Sequence, residues 1–162
     1  MVRQQISLFL KNAPGELGRL ANLLAANEIN LEAMSIQDAS AYVMELFKAR
    51  GKSLKRIAST ESYNSMRRDS EKFALIRFLV NRTDETIDLL NRHDYLFDVF
   101  PVIALHLENR PGALAGIAGK FGREGINIKY TYGSVTESEA KVLFVFCPED
   151  IDKAAEVFAD HE

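Results

Sequence analysis

Hydrophobic positions along the chain fall into two similar series. Ile6-Ser7-Leu8-Phe9-Leu10 is an apolar run of strand length, and Ile103-Ala104-Leu105-His106-Leu107 repeats it. Each run leads into Asn-x-Pro-Gly, a turn and breaker signal. Leu17, Leu20, Ala21, Leu24 and Ala25 then recur at helical spacing, as do Leu114, Ile117, Ala118 and Phe121. Ile29-Asn30-Leu31 and Ile126-Asn127-Ile128 open a second strand in each series, running to about Gln37 and Val135.

The two series align without a gap at an offset of 97, with ten identities in the 25 positions from 6 to 30. Self-similarity of that kind marks a duplication. Phe73–Val80 reads as a third strand, and Thr83-Asp84-Glu85-Thr86 starts a helix carrying Ile87, Leu89 and Leu90. Val142–Cys147 and Pro148-Glu149-Asp150 are the counterparts, with proline and acids where a first helical turn accepts them. Their offset is near 67, so the first series carries about 30 extra residues between its second and third strands.

The element order is β-α-β-β-α, a fourth strand at Tyr95–Phe100, then the second series. The fold class expected is α+β: two tandem ferredoxin-like βαββαβ units, each an antiparallel sheet with helices on one face. Their boundaries are 1–100, with an insertion at about 40–71, and 101–162. The short link Phe100-Pro101 favours one long bent strand or two tightly coupled sheets. The second unit ends without a fourth strand at Glu162. Either the chain is truncated or a strand from elsewhere fills that edge.

Asn12-x-Pro14-Gly15-x-Leu17 and Asn109-x-Pro111-Gly112-x-Leu114, each between a strand and a helix, resemble the signature of the ACT domain. The Ile-Asn pairs opening the next strand fit the same family. The resemblance covers most of the chain apart from 40–71. It is similar in layout to stand-alone tandem ACT proteins and, more distantly, to the small regulatory subunit of acetolactate synthase. It implies allosteric amino-acid sensing, with the ligand held between paired domains. No residue constellation supports an enzyme, and no cofactor is expected.

The residues support a candidate ligand site at the two turns, Asn12-Ala13-Pro14-Gly15-Glu16-Leu17 and Asn109-Arg110-Pro111-Gly112-Ala113-Leu114. Gly15 and Gly112 allow close backbone approach. Each turn delivers the chain into a helix N-terminus, where free N–H groups and the dipole favour an anion such as a carboxylate. Asn12 and Asn109 offer a donor and an acceptor, suited to a zwitterion. Met34, Ile36, Tyr130 and Tyr132 on the second strands are candidates to line a side-chain pocket. Arg110 adds charge where Ala13 cannot, so the two copies are not expected to bind equally. A plainer reading stands beside this one: turn chemistry with an asparagine helix cap, core leucines after the glycines, and edge or interface tyrosines.

Composition narrows the alternatives. The 162 residues are 47% hydrophobic and 27% charged, a globular profile. A net charge of −3 gives no general bias toward nucleic acid. The single cysteine, Cys147, precludes an internal disulfide and reads as a buried, inert thiol. His93, His106 and His161 share no metal spacing, and no nucleophile–base set stands out. Phe47–Ser53 ends like a phosphate loop but has Leu46 where the first glycine belongs. The N-terminus lacks a signal-peptide pattern and the longest apolar run is too short to span a bilayer, so a cytoplasmic location away from membranes is the expectation.

Residues 40–70 carry a local net charge of +4 against −7 elsewhere. Two short amphipathic helices separated by Gly51 are expected there. The plain reading is a solvated excursion, the next a docking surface for an acidic partner enzyme. Nucleic acid comes last, because the aromatics lack a stacking arrangement. A homodimer is the expected assembly, since small open-edged sheets pair and twofold closure is the commonest. The rival function is a ligand-free dimerisation module.

Overall fold

The computed structural model describes residues 1–38, 73–134 and 141–161. The insertion and its two expected helices lie outside these residues, as does Val135. Ten elements follow in order: β1 (Val2–Lys11), α1 (Glu16–Ala26), β2 (Leu31–Asp38), β3 (Phe73–Val80), α2 (Thr83–Arg92), β4 (Phe97–Glu108), α3 (Ala113–Arg123), β5 (Ile128–Ser134), β6 (Lys141–Pro148) and α4 (Ile151–Val157). β-α-β-β-α therefore occurs twice. No helix among the described residues is long and apolar enough to cross a membrane.

All strands join one antiparallel sheet in the order β2-β3-β1-β4-β6-β5. This differs from the two separate sheets that the sequence suggests. The expected fourth strand at Tyr95–Phe100 is the first part of β4, which runs on through Pro101 into the second series. β1 is also longer than its apolar run. Ile6 pairs with Val99, and Ile103 pairs with Val2, which is the same pairing under the 97-residue offset. The N-terminal end of β1 thus takes, beside β4, the place that a fourth strand would have in the second series. Pro101 sits in β4 opposite Gln4.

Alternation along the strands makes two faces. Ile6, Leu8 and Leu10 of β1 pack with Leu20 and Leu24 of α1, Ile76 and Phe78 of β3, and Leu89 and Leu90 of α2. Ile103, Leu105 and Leu107 pack with Ile117 and Phe121 of α3, Phe146 of β6, and Phe158 after α4. Phe121 stands 4.4 Å from the Phe158 ring and 5.3 Å from that of Phe146. The helices bury these faces because their apolar residues recur four apart.

The opposite faces of the two half-sheets meet each other. Ala33, Leu79, Val102, Ala104, Leu143 and Val145 form a third apolar cluster drawn from four strands. β2 and β5, at the two ends of the strand order, come into contact. The sheet therefore folds over on itself along β1 and β4, with helices outside and a shared interior between its halves.

Candidate functional site

The two Asn-x-Pro-Gly turns have the same geometry. Ala13 N–H donates to Lys11 O at 2.9 Å and Glu16 N–H to Ala13 O at 3.3 Å; Arg110 N–H donates to Glu108 O at 2.8 Å and Ala113 N–H to Arg110 O at 3.3 Å. Gly15 and Gly112 are left-handed, with φ of 90° and 89°. A Cβ at either would meet nothing within 4 Å, so backbone conformation rather than space calls for glycine there. Each glycine is the N-cap residue, and neither helix start carries a side-chain cap hydrogen bond. Asn12 and Asn109 are thus not helix caps; Glu16 and Ala113 N–H turn back to the loop carbonyls, and the next first-turn N–H groups keep their capacity for an outside acceptor.

The copies differ in charge. Glu16 sits in the first turn of α1, 3.3 Å from Arg19, whereas Ala113 leaves that place neutral in α3. Arg110 is paired with Glu108, and this guanidinium holds the Glu108 carboxyl below its ordinary range. Leu17 packs on the first core, while Leu114 is exposed. Because β1 and β4 run antiparallel, the two turns lie at opposite ends of the sheet.

Met34 and Ile36 pair with Phe78 and Ile76, so they share the helix-side face of edge strand β2, 37% and 47% exposed. Tyr130 pairs with Cys147 on the interior face. The structure does not bring Tyr130 together with Met34 and Ile36: strand periodicity places Ala33, not Met34, at the position equivalent to Tyr130.

Tyr130 belongs instead to a polar network inside the fold. Gln5, fully buried, donates its Nε2 to the Tyr130 hydroxyl at 2.7 Å and to Ser7 Oγ at 2.9 Å. The Tyr132 hydroxyl donates to Gln5 Oε1 at 3.0 Å. The Arg77 guanidinium lies over the Tyr130 ring, 4.2 Å from its centroid. Burial, and then the contact with Cys147, pushes the Tyr130 hydroxyl up to about 12; burial raises Tyr132 as well. A cavity of about 860 Å³ opens beside this network between the half-sheets. Cys147, half-buried, lines it rather than lying in a sealed core. Sequence reasoning passed over Gln5 and Arg77. The signal for Arg77 was present, as one cation inside the otherwise apolar Phe73–Val80.

Residues 102–162 match the ACT domain. Comparison with the curated proteins finds no match. Among solved structures, the chain is similar to protein BT0572 from Bacteroides thetaiotaomicron, with 26% identity, 99% of this chain and 88% of that one covered, and a TM-score of 0.70. It is also similar in fold to the regulatory subunit of aspartate kinase from Thermus thermophilus, with 12% identity, 99% and 95% coverage and a TM-score of 0.56. The Thermus flavus regulatory subunit of aspartate kinase gives 12% identity, 99% and 94% coverage and a TM-score of 0.50.

Proposed function

We propose that the protein is a small non-enzymatic regulator, a tandem pair of ACT-type units that binds an amino acid at its Asn-x-Pro-Gly turns. The observation that carries this reading is the duplicated turn, with a left-handed glycine delivering an uncapped helix start in each half. The ACT match supports it for the second half, and the 97-residue self-similarity extends it to the first. Similarity to regulatory subunits of aspartate kinase supports a regulatory role.

The second turn is the better anion site. Ala113 puts no carboxylate in the first helical turn, whereas Glu16 occupies the equivalent place in the first copy with a negative charge; Arg110, paired with Glu108, lies beside the second turn. An amino-acid carboxylate would take the N–H groups after Gly112 and its ammonium the Asn109 side-chain oxygen. Transmission is linkage: ligand favours one arrangement of the two halves and so shifts their affinity for a partner. The half-sheets share β1 and β4, so a movement at one turn is felt in the other half. A homodimer formed through the exposed Met34 and Ile36 of β2 and a partner enzyme docked on the basic insertion complete the reading.

Thermal denaturation with each of the twenty amino acids tests it. At about 100 times its dissociation constant a ligand of the native state adds about 2.7 kcal/mol of stability. One amino acid stabilising the wild type, and losing that effect in Gly112→Ala, is the expected result. No stabilisation by any of them at millimolar concentration leaves the ligand-free interaction module in its place.

A further inference from the structure

The cavity between the half-sheets has a chemistry of its own. Arg77 is only 8% exposed and lines it. Among the described residues no carboxylate lies within ion-pair distance of its guanidinium, and no acceptor takes its N–H groups. It lies against the face of the Tyr130 ring. Burying a guanidinium is costly, and among the described residues the face of Tyr130 is what offsets part of that cost. Arg77 pairs across the sheet with Ser7 on one side and Ser35 on the other. These small hydroxyl side chains leave the space above the strands open. Ser7 in turn pairs with Asp98, which lines the same cavity, so a cation and an anion flank one serine in a single transverse row. Phe9, Leu75, Leu96 and Phe100 give the walls an apolar part, and Asp38 and Lys129 add one charge of each sign to the lining. Phe9, Leu96 and Phe100 remain exposed at the opening. The volume, about 860 Å³, falls in the range of small-molecule sites.

We infer that this cavity is a second binding site, separate from the turns, for a small carboxylate with an apolar body. The carboxylate pairs with the Arg77 guanidinium, whose planar fork matches two oxygens. The apolar body lies against Phe9, Leu75 and Phe100. Asp98 favours ligands that also carry an ammonium group. The site joins residues from both half-sheets, Arg77 on β3 with Tyr130 and Cys147 on β5 and β6, so an occupant bridges the halves.

Cys147, the single cysteine, reports on the cavity directly. Its alkylation by iodoacetamide is followed by mass spectrometry with L-phenylalanine, 3-phenylpropanoate or 2-phenylethylamine at millimolar concentration. The two carboxylates are expected to slow the reaction and the amine to leave it unchanged. Loss of a charge-assisted pair in Arg77→Gln weakens binding by about tenfold or more, so protection disappears at the same concentration. Phe100→Glu, at the exposed rim, puts a repelling charge at the mouth and abolishes protection even if Arg77→Gln does not fold. Gly112→Ala leaves protection intact. Absence of protection in the wild type overturns the inference, as does protection that survives Arg77→Gln or Phe100→Glu. Protection lost only in Gly112→Ala also overturns it while retaining the amino-acid site at the turn. Protection of Cys147 with no amino acid acting through Gly112 has the converse meaning, a cavity site without a turn site.

Discussion

Gln5 and Tyr130 stand 125 residues apart in sequence and are joined by a 2.7 Å hydrogen bond from the Gln5 side-chain amide to the Tyr130 hydroxyl. The bond crosses the space between the two half-sheets, from the centre of the sheet to its last strand. Gln5 serves Ser7 and Tyr132 as well, so one buried amide ties three hydroxyls. Gln5→Leu removes the amide and leaves those hydroxyls to find other partners. It is expected to lower stability by about 1–3 kcal/mol, and Tyr130→Phe by about 0.5–1.5 kcal/mol. In a double-mutant cycle followed by urea unfolding, the two losses should fall short of additive, because each removes the same bond.

Tyr130 also predicts how stability responds to alkali. Its hydroxyl is pushed up to about 12 in the folded protein, chiefly by burial, from an ordinary value near 10. The fold therefore favours the neutral phenol. That contribution is complete below about pH 10 and is lost as pH rises through 10 toward 12. Urea midpoints should be flat with respect to this group from pH 7 to 9 and fall above 10. Tyr130→Phe should flatten part of that fall, and ultraviolet titration of tyrosinate should show a late-titrating fraction.

Glu28 and Gly125 occupy equivalent places after α1 and α3, and both are left-handed, with φ of 58° and 65°. Ile29 N–H returns to Leu24 O at 3.0 Å, and Ile126 N–H to Phe121 O at 2.9 Å, so each helix ends in a Schellman-type turn. Glutamate carries a strain there that glycine does not. Glu28→Gly is expected to stabilise the protein by about 0.5–1 kcal/mol and Gly125→Ala to destabilise it by about 1 kcal/mol. Thermal melts of the two variants check both signs.

The pairing of Val2 with Ile103 means that the first residues of the chain complete the second half. Deleting residues 2–5 strips β4 of its partner over Phe100–Ile103 and removes Gln5. Hydrogen exchange is expected to rise along β4 from Val102 to Ala104 and in β5, although these residues lie about 100 positions from the deletion. Effects confined to β1 and β3 would contradict the exchanged-strand arrangement.

Much of this was legible in the chain. The 97-residue offset anticipates identical turns, and Gly15 and Gly112 do share one left-handed conformation. The tight link at Phe100-Pro101 leaves a long bent strand or two coupled sheets, and β4 is a long strand. The open edge of the second series leaves two readings, a truncated chain or a strand from elsewhere, and gives no sign that Val2–Gln5 pairs there, because a polar leading segment does not reveal its partner. Alternation at Lys129–Tyr132 separates two strand faces without saying what covers either. The burial of Tyr130 depends on the sheet folding over, which is a long-range event. Arg77 was hidden for the same reason: a cation in an apolar strand is conspicuous, but its cavity exists only once β3, β1 and β5 share an interior.

A backbone NMR titration with the stabilising amino acid tests the account most directly. The account predicts that the largest amide shifts fall within residues 109–115, with Gly112 and Ala113 foremost, and that they weaken in Gly112→Ala. Amide positions at both turns that stay unmoved by every one of the twenty amino acids at millimolar concentration would contradict it.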